Sequence, residues 1–249
     1  MSDRRSLEAR IVRRVQRLLG DRPTVAEAQA SLAWDDAQRV IYERSTTQTR
    51  IHDDHHALRR EVFGQRPAEG MILEFGVFRG QSLNAFAEQA RAEGDGRTLH
   101  GFDSFEGFSE EWTGVEGAFP KDRFDLAGGR PTVGSNCALV DGFVEQTLPD
   151  FLREHEDDVA FIHIDTDTYS PARTVLACCR PRLKAGSIVL FDELLGYPNW
   201  RSHEYRALQE SLHEDEYTFL GFATSSPRAR LIKAAIRIDR DLKDRPAPV

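Results

Sequence analysis

Cysteine is scarce in this chain of 249 residues: Cys137, Cys178 and Cys179 make an odd count, and two of them are adjacent, where an ordinary disulfide would need unusual backbone geometry. A disulfide-stapled fold is thereby excluded, and a reducing compartment fits best. Long apolar runs are lacking too. The longest, Val175 to Cys179, falls far short of the roughly 20 residues that span a bilayer, so no membrane helix is expected. Nor is there an excess of positive charge. The chain sets 33 Lys and Arg against 41 Asp and Glu, a formal charge of −8, which disfavours a basic face for duplex nucleic acid. Residues 1–20 hold many arginines but also Asp3 and Glu8, with neither a continuous apolar stretch nor a small-residue cleavage site. No secretion signal is read there, and a cytoplasmic location is expected.

With 40% apolar and 30% charged residues, the composition is ordinary for a globular protein. At this length roughly 70 to 75% of the unfolded surface can be buried, which favours one large α/β domain with appendages. Leu7, Ile11, Val15, Leu18 and Leu19 recur at helical spacing, giving an amphipathic first helix that suits either the domain surface or a second subunit of a homo-oligomer. Pro23 to Arg60 reads as largely helical with breaks. From Met71 onward, short β-rich runs alternate with stretches of helical period, the pattern of stacked βαβ units in a parallel sheet. The expected strands are Met71 to Phe75, Thr98 to Asp103, Cys137 to Val140, Val159 to Ile164 and Ser187 to Phe191. Helices are expected over Gln81 to Glu93, Thr147 to His155, Pro171 to Arg180 (capped by Ser170) and His203 to His213. Tyr217 to Thr224 and Ala229 to Ile238 then read as an antiparallel hairpin at the sheet edge.

Two places carry chemistry. The first is Glu74-Phe75-Gly76-Val77-Phe78-Arg79-Gly80, which closes one strand and opens a helix through Gln81 and Ser82. Gly76 permits a sharp turn against which a ligand can lie, and the free amides at the helix entrance favour a carboxylate. Only two glycines occur, four apart, so the three-glycine fingerprint that packs a pyrophosphate is absent and a nicotinamide-dependent oxidoreductase is disfavoured. Asp103 ends the second strand on the same edge, where it can accept hydrogen bonds from a ribose. Asp141-Gly142-Phe143, beyond the third strand, would lie near a base, with Phe143 offering a stacking face.

The second place is Ile162-His163-Ile164-Asp165-Thr166-Asp167-Thr168-Tyr169, at the exit of the fourth strand, together with Phe191-Asp192-Glu193 at the exit of the fifth. Adjacent parallel strands would gather Asp165, Asp192 and Glu193 into a cluster of carboxylates that repel one another unless protonated or bridged by a cation. Hard oxygen donors point to magnesium or a similar divalent ion. Asp167 reads as a helix cap. His52 and His56, four apart, would share a helical face, but no third ligand for zinc is evident.

These residues resemble the class I S-adenosylmethionine-dependent O-methyltransferases of the macrocin type, which methylate sugar hydroxyls on macrolide antibiotics. The resemblance rests on Glu74 to Gly80, on Phe102-Asp103-Ser104-Phe105-Glu106-Gly107, on Glu145-Gln146-Thr147-Leu148-Pro149 and on Asp165-Thr166-Asp167-Thr168-Tyr169, in that order. It implies a Rossmann-like class I methyltransferase sheet, five parallel strands plus a C-terminal antiparallel hairpin, over residues 70–249, preceded by an N-terminal helical cap over residues 1–69. It also implies S-adenosylmethionine held by Gly76, Ser82, Asp103, Asp141, Gly142 and Phe143, with Glu74 and Gly80 in the same loop. Magnesium would be held by Asp165, Asp192 and Glu193. Where the family usually has two aspartates after the fifth strand, this chain has Asp192-Glu193.

The expected reaction is methyl transfer to a hydroxyl of a small molecule bearing neighbouring hydroxyls. Asp165 would serve as ligand and proton acceptor, with His203 as a second candidate base against its reading as a solvated helix residue. The long stretch from Ser104 to Ser135 reads as a lid. Two other readings stand beside this one: a metal-independent methyltransferase using His203 or Asp165 as base, and a non-catalytic module that binds the same cofactor.

Overall fold

The computed structural model describes residue 14 and residues 24–114, 117–224 and 231–248. The expected first helix, Leu7 to Gly20, lies outside the described residues apart from residue 14. Helix α1 (Val25–Arg44) opens with a reciprocal cap, in which the Thr24 side chain accepts from the Glu27 amide and the Glu27 carboxylate accepts from the Thr24 amide. There follow a short strand β1 (Arg50–His52), helix α2 (His55–Gly64), β2 (Met71–Phe75), α3 (Gln81–Ala92) and β3 (Leu99–Asp103). A small hairpin, β4 (Trp112–Gly114) and β5 (Gly117–Phe119), precedes β6 (Cys137–Asp141), α4 (Val144–Glu154), β7 (Val159–Ile164) and α5 (Tyr169–Cys179). The chain ends with β8 (Leu183–Leu195), α6 (Glu204–Ser211), β9 (Tyr217–Thr224) and β10 (Ile232–Ile238).

The main sheet has the order β1-β9-β10-β8-β7-β2-β3-β6. The five strands expected to be parallel are parallel, from β6 through β3, β2 and β7 to β8. The C-terminal hairpin is antiparallel, and β10 rather than β9 lies against β8. The hairpin does not form the edge: β1, from the stretch read as helical, pairs parallel to β9 and covers it. Successive side chains in each strand face opposite ways, so one layer buries Leu73, Ile162, Val189 and Phe191 while the other buries Ile72, Phe161, Ile188 and Leu190. Phe63 of α2 and Phe86 of α3 belong to the second layer; Phe151 of α4, Leu176 of α5 and Leu208 of α6 belong to the first.

From β2 the chain proceeds outward through β3 to β6, then returns across to β7 and β8. The carboxyl ends of β2 and β7 therefore border the reversal in strand order, where open α/β sheets form their crevice. Strand β8 runs through Leu195, four residues beyond the expected end, and helix α5 starts at Tyr169 with Thr168, not Ser170, as its N-cap. Both differences bear on the site.

Candidate active site

A cleft of about 330 Å³ opens at that reversal. Its walls come from the loop after β2 (Gly76 to Arg79), from Asp103 and Ser104 after β3, from Gly142 and Phe143 after β6, and from Asp165 to Thr168 after β7. Phe108 and Phe124 close over it from the segment between β3 and β6, and the Phe124 ring meets Phe78 and Phe108 edge-on. The segment expected as a lid is a partly folded flap, with the β4–β5 hairpin and a short 3-10 turn over Lys121–Phe124. Its Glu110 carboxylate accepts from the amide and hydroxyl of Ser170 at the start of α5, at 2.8 Å each.

The glycine loop is drawn tight. Gly76 has φ +89°, and a Cβ there would lie 1.8 Å from the carbonyl oxygen of Asp165, so no other residue fits against the fourth parallel strand. The Asp103 carboxylate stitches the loop in place, one oxygen accepting from the Val77 and Phe78 amides (2.8 and 2.7 Å) and the other from Phe105 (2.7 Å). Phe78 and Asp167 adopt left-handed backbone angles, φ 47° and 61°, and both line the cleft. Strain at non-glycine residues concentrates at binding sites. Ser82, Gly142 and Phe143 line the cleft. Glu74 lies beneath it, buried, accepting from Ser82 Oγ at 3.0 Å and paired with His163 Nδ1 at 3.0 Å. Gly80 is the left-handed N-cap of α3 behind the loop, and Asp141 is turned outward into an ion pair with Arg130.

The acids divide into two sets. Because β8 continues past Phe191, the consecutive side chains of Asp192 and Glu193 point to opposite faces of the sheet. The expectation that both meet Asp165 in one cluster is therefore corrected: Asp165 and Asp192 group with His163, while Asp165 and Glu193 group with Asp167, each group offering donor atoms within 4.8 Å of one another. On the first face a polar row runs across the strands. Glu74 of β2 pairs in register with His163 of β7, whose Nε2 stands 3.3 Å from Asp192 Oδ1. Arg59 of α2 and Lys233 of β10 ion-pair with the same Asp192 carboxylate. Burial alone would lower the His163 imidazole, but its bonds to Asp192 and Glu74 outweigh that and raise it to about 9. Burial likewise opposes ionisation of Asp192, yet Lys233, His163 and Arg59 hold it well below the usual carboxylate range.

On the second face the acids gather with one another. Asp167 is not a helix cap but a buried carboxyl hydrogen-bonded to Glu193, raised to about 7 by burial and by Asp165. Burial, then the neighbouring acids, raise Asp165, Glu193 and Glu204 well above the carboxylate range. Glu204, the first residue of α6, is fully buried and was not singled out from the sequence; its Oε1 only meets the Thr166 amide at 3.4 Å. Glu193 Oε2, Glu204 Oε2 and Thr166 Oγ1 are buried without a hydrogen-bond partner. Acid oxygens left unsatisfied beside carboxyls that repel one another suit a hard divalent cation. Asp165 and Asp167 line the cleft itself.

His203 is not a solvated helix residue: it is buried as the N-cap of α6, its ring 6.1 Å from that of Tyr197, and it is not among the residues lining the cleft. His52 and His56 do not share a helical face, since His52 lies on β1 and His56 on α2. The signals for Arg59 and Lys233 were absent from the sequence, because neither sits in a motif and each is brought to the acids only by the packing of its element.

Residues 73–194 match a family described as a methyltransferase domain. The fold is similar to the crystal structure of CalS11, a calicheamicin methyltransferase, at 27% identity over 92% of both chains with a TM-score of 0.57. It is also similar to apo CalS11, a TDP-rhamnose 3'-O-methyltransferase, at 24% identity over 92% of this chain and 93% of that one with a TM-score of 0.51. The O-methyltransferase NovP matches at 18% identity over 74% of this chain and 79% of that one, again with a TM-score of 0.51. No curated protein matched the sequence. The architecture is that of the Rossmann-like methyltransferases, and among the described residues no helix is long and apolar enough to cross a membrane.

Proposed function

We propose that this chain, an S-adenosylmethionine-dependent methyltransferase, transfers the donor's methyl group to a hydroxyl of a sugar or other vicinal diol on a small molecule, in the manner of the macrocin type, with a divalent cation assisting. The observation that supports this reading is the joint between Gly76 and Asp165, which sets the glycine loop and the carboxyls of Asp165 and Asp167 in one cleft with their backbones in contact. CalS11, with its sugar substrate, supports the choice of acceptor class.

The loop of Gly76 to Arg79 and Ser82 would hold the donor, with Asp103 fixing the loop's amides and Phe143 packing beside the base. Phe108 and Phe124, which line the cleft, would exclude water from it. The chemistry needs an acceptor oxygen in line with the methyl carbon and sulfur; alignment of this kind can supply up to roughly 7 to 11 kcal/mol. As the oxygen–carbon bond forms and the carbon–sulfur bond breaks, the hydroxyl proton would pass to Asp165, ionised in the loaded site although burial and its acid neighbours otherwise raise it, leaving S-adenosylhomocysteine as the thioether product. Asp165 and Glu193 would hold the cation, which when bound lowers the pKa of a chelated hydroxyl. His203 has no part in this scheme.

The second reading, methyl transfer without a metal and with Asp165 as base, draws on the ion pairs that already neutralise Asp192. One experiment tests both. Transfer of radiolabelled methyl from S-adenosylmethionine to a panel of sugar diols and nucleotide sugars should appear for at least one acceptor, vanish with EDTA and return with magnesium. Transfer indifferent to EDTA would establish the metal-free reading, and transfer only to amines or carboxylates would overturn the hydroxyl assignment.

A further inference from the structure

The row of charges on the α2 face of the sheet has an unusual member. Lys233 lies in a central strand, only 4% exposed, between β8 and β9. The pairing of β10 with β8 slips between Ile232 and Ala234, with the extra residues on β8, while β10 keeps its alternation and sets Lys233 on the face of Ala235, opposite Ile232, Ala234 and Ile236. Here the ammonium reaches the carboxylate of Asp192 and, at 3.2 Å, its carbonyl oxygen. A buried lysine is costly unless paired, and Asp192 is its partner.

Asp192 is the acid whose sequence position assigned it to the cation, yet both of its oxygens already serve cationic donors: Oδ2 takes Lys233, and Oδ1 takes Arg59 and His163. Glu193, the next residue, faces the other way and keeps a buried oxygen without a partner. Asp165 stands between the two faces and groups with both. An incoming divalent ion therefore meets a ready site on one side and an occupied carboxylate on the other.

We propose that Lys233 is a resident counter-cation that keeps Asp192 from joining Asp165 and Glu193 on a divalent ion, and that this lysine thereby limits the affinity of the acid cluster for the ion. The proposal rests on the metal-assisted reading of the site. Lys233 is a positioning residue in this scheme. It touches neither donor nor acceptor, and acts through Asp192. Arg59 and His163 keep Asp192 paired when the lysine is gone, so the carboxylate of a Lys233→Met protein is not left alone in the core.

The test is Mn²⁺ binding to the full chain by titration calorimetry and electron paramagnetic resonance, with no turnover required. Lys233→Met should bind Mn²⁺ at least tenfold more tightly than the parent protein. In an Asp192→Asn background the same substitution should give a clearly smaller gain, because the carboxylate freed by loss of the lysine is gone and only the ammonium's field on Asp165 and Glu193 remains. A second measurement uses the unaltered protein with ¹⁵N-labelled lysine. Against Lys121, Lys184 and Lys243, the Lys233 side-chain resonance should be the one that shifts as Mg²⁺ is added, and this arm decides the matter if Lys233→Met does not fold. Equal or weaker Mn²⁺ binding by Lys233→Met, an undiminished effect in the Asp192→Asn background, or an unmoved Lys233 resonance at saturating Mg²⁺ would overturn the proposal. A parent protein that binds S-adenosylhomocysteine but neither cation would instead overturn the metal reading, and the proposal with it.

Discussion

A methyl group built on Gly76 would stand 1.8 Å from the carbonyl oxygen of Asp165. The glycine loop after β2 and the acid-bearing turn after β7 thus meet at one backbone contact. Gly76→Ala must push the two apart as well as hold alanine at φ +89°. It should cost about 2 kcal/mol or more in unfolding free energy and abolish S-adenosylhomocysteine binding, as read by urea denaturation and calorimetry. Binding that survived the substitution would show that the loop does not hold the donor.

Asp165→Asn keeps the shape and the backbone contact but removes the proposed proton acceptor. Turnover should fall by roughly 10² to 10⁴-fold while S-adenosylhomocysteine affinity stays unchanged. Loss of both together would mean that Asp165 supports the cleft and does not act on the acceptor.

The pH dependence of stability follows from His163. Its folded-state value, about 9, lies above the ordinary 6.5, so its contribution is fully present below pH 6.5 and disappears as the pH rises through 9. In EDTA, the protein should lose on the order of 2 to 3 kcal/mol between those limits, and His163→Gln should show a flatter profile over the same range. Parallel profiles for the two proteins would contradict a charged imidazole between Glu74 and Asp192.

The flap is tethered by Glu110 to the amide and hydroxyl of Ser170. Glu110→Ala removes two charge-assisted hydrogen bonds at a partly exposed site. Limited proteolysis within residues 104–135 should quicken by roughly threefold to tenfold, and S-adenosylmethionine should slow it again. Cutting at the same rate in both proteins would show that the flap is held elsewhere.

Much of this was legible in the sequence because it is local. The turn at Gly76, the acid at Asp103, the strand exits at Asp165 and the five parallel strands all follow from short patterns of apolar period, glycine and charge. What the sequence left hidden depends on where strands end and which faces meet. Ending the fifth strand at Phe191 placed Asp192 and Glu193 together in a loop; four more residues of strand send them to opposite faces. Asp167, read as a cap beside Ser170-Pro171, proved to be a buried acid because the helix starts at Tyr169. Lys233 and Arg59 meet Asp192 across 41 and 133 residues of chain, a separation no local pattern encodes. Likewise β1, three residues long, gains its structure only by pairing with β9.

The central claim is that donor and cation occupy one cleft, on either side of the contact between Gly76 and Asp165. A crystal grown with S-adenosylhomocysteine and Mn²⁺, measured at the manganese absorption edge, addresses it directly. The account predicts an anomalous peak bonded to oxygens of Asp165 and Glu193, with the thioether lying against the Gly76 loop. A peak elsewhere, or a donor bound away from that loop, would contradict it.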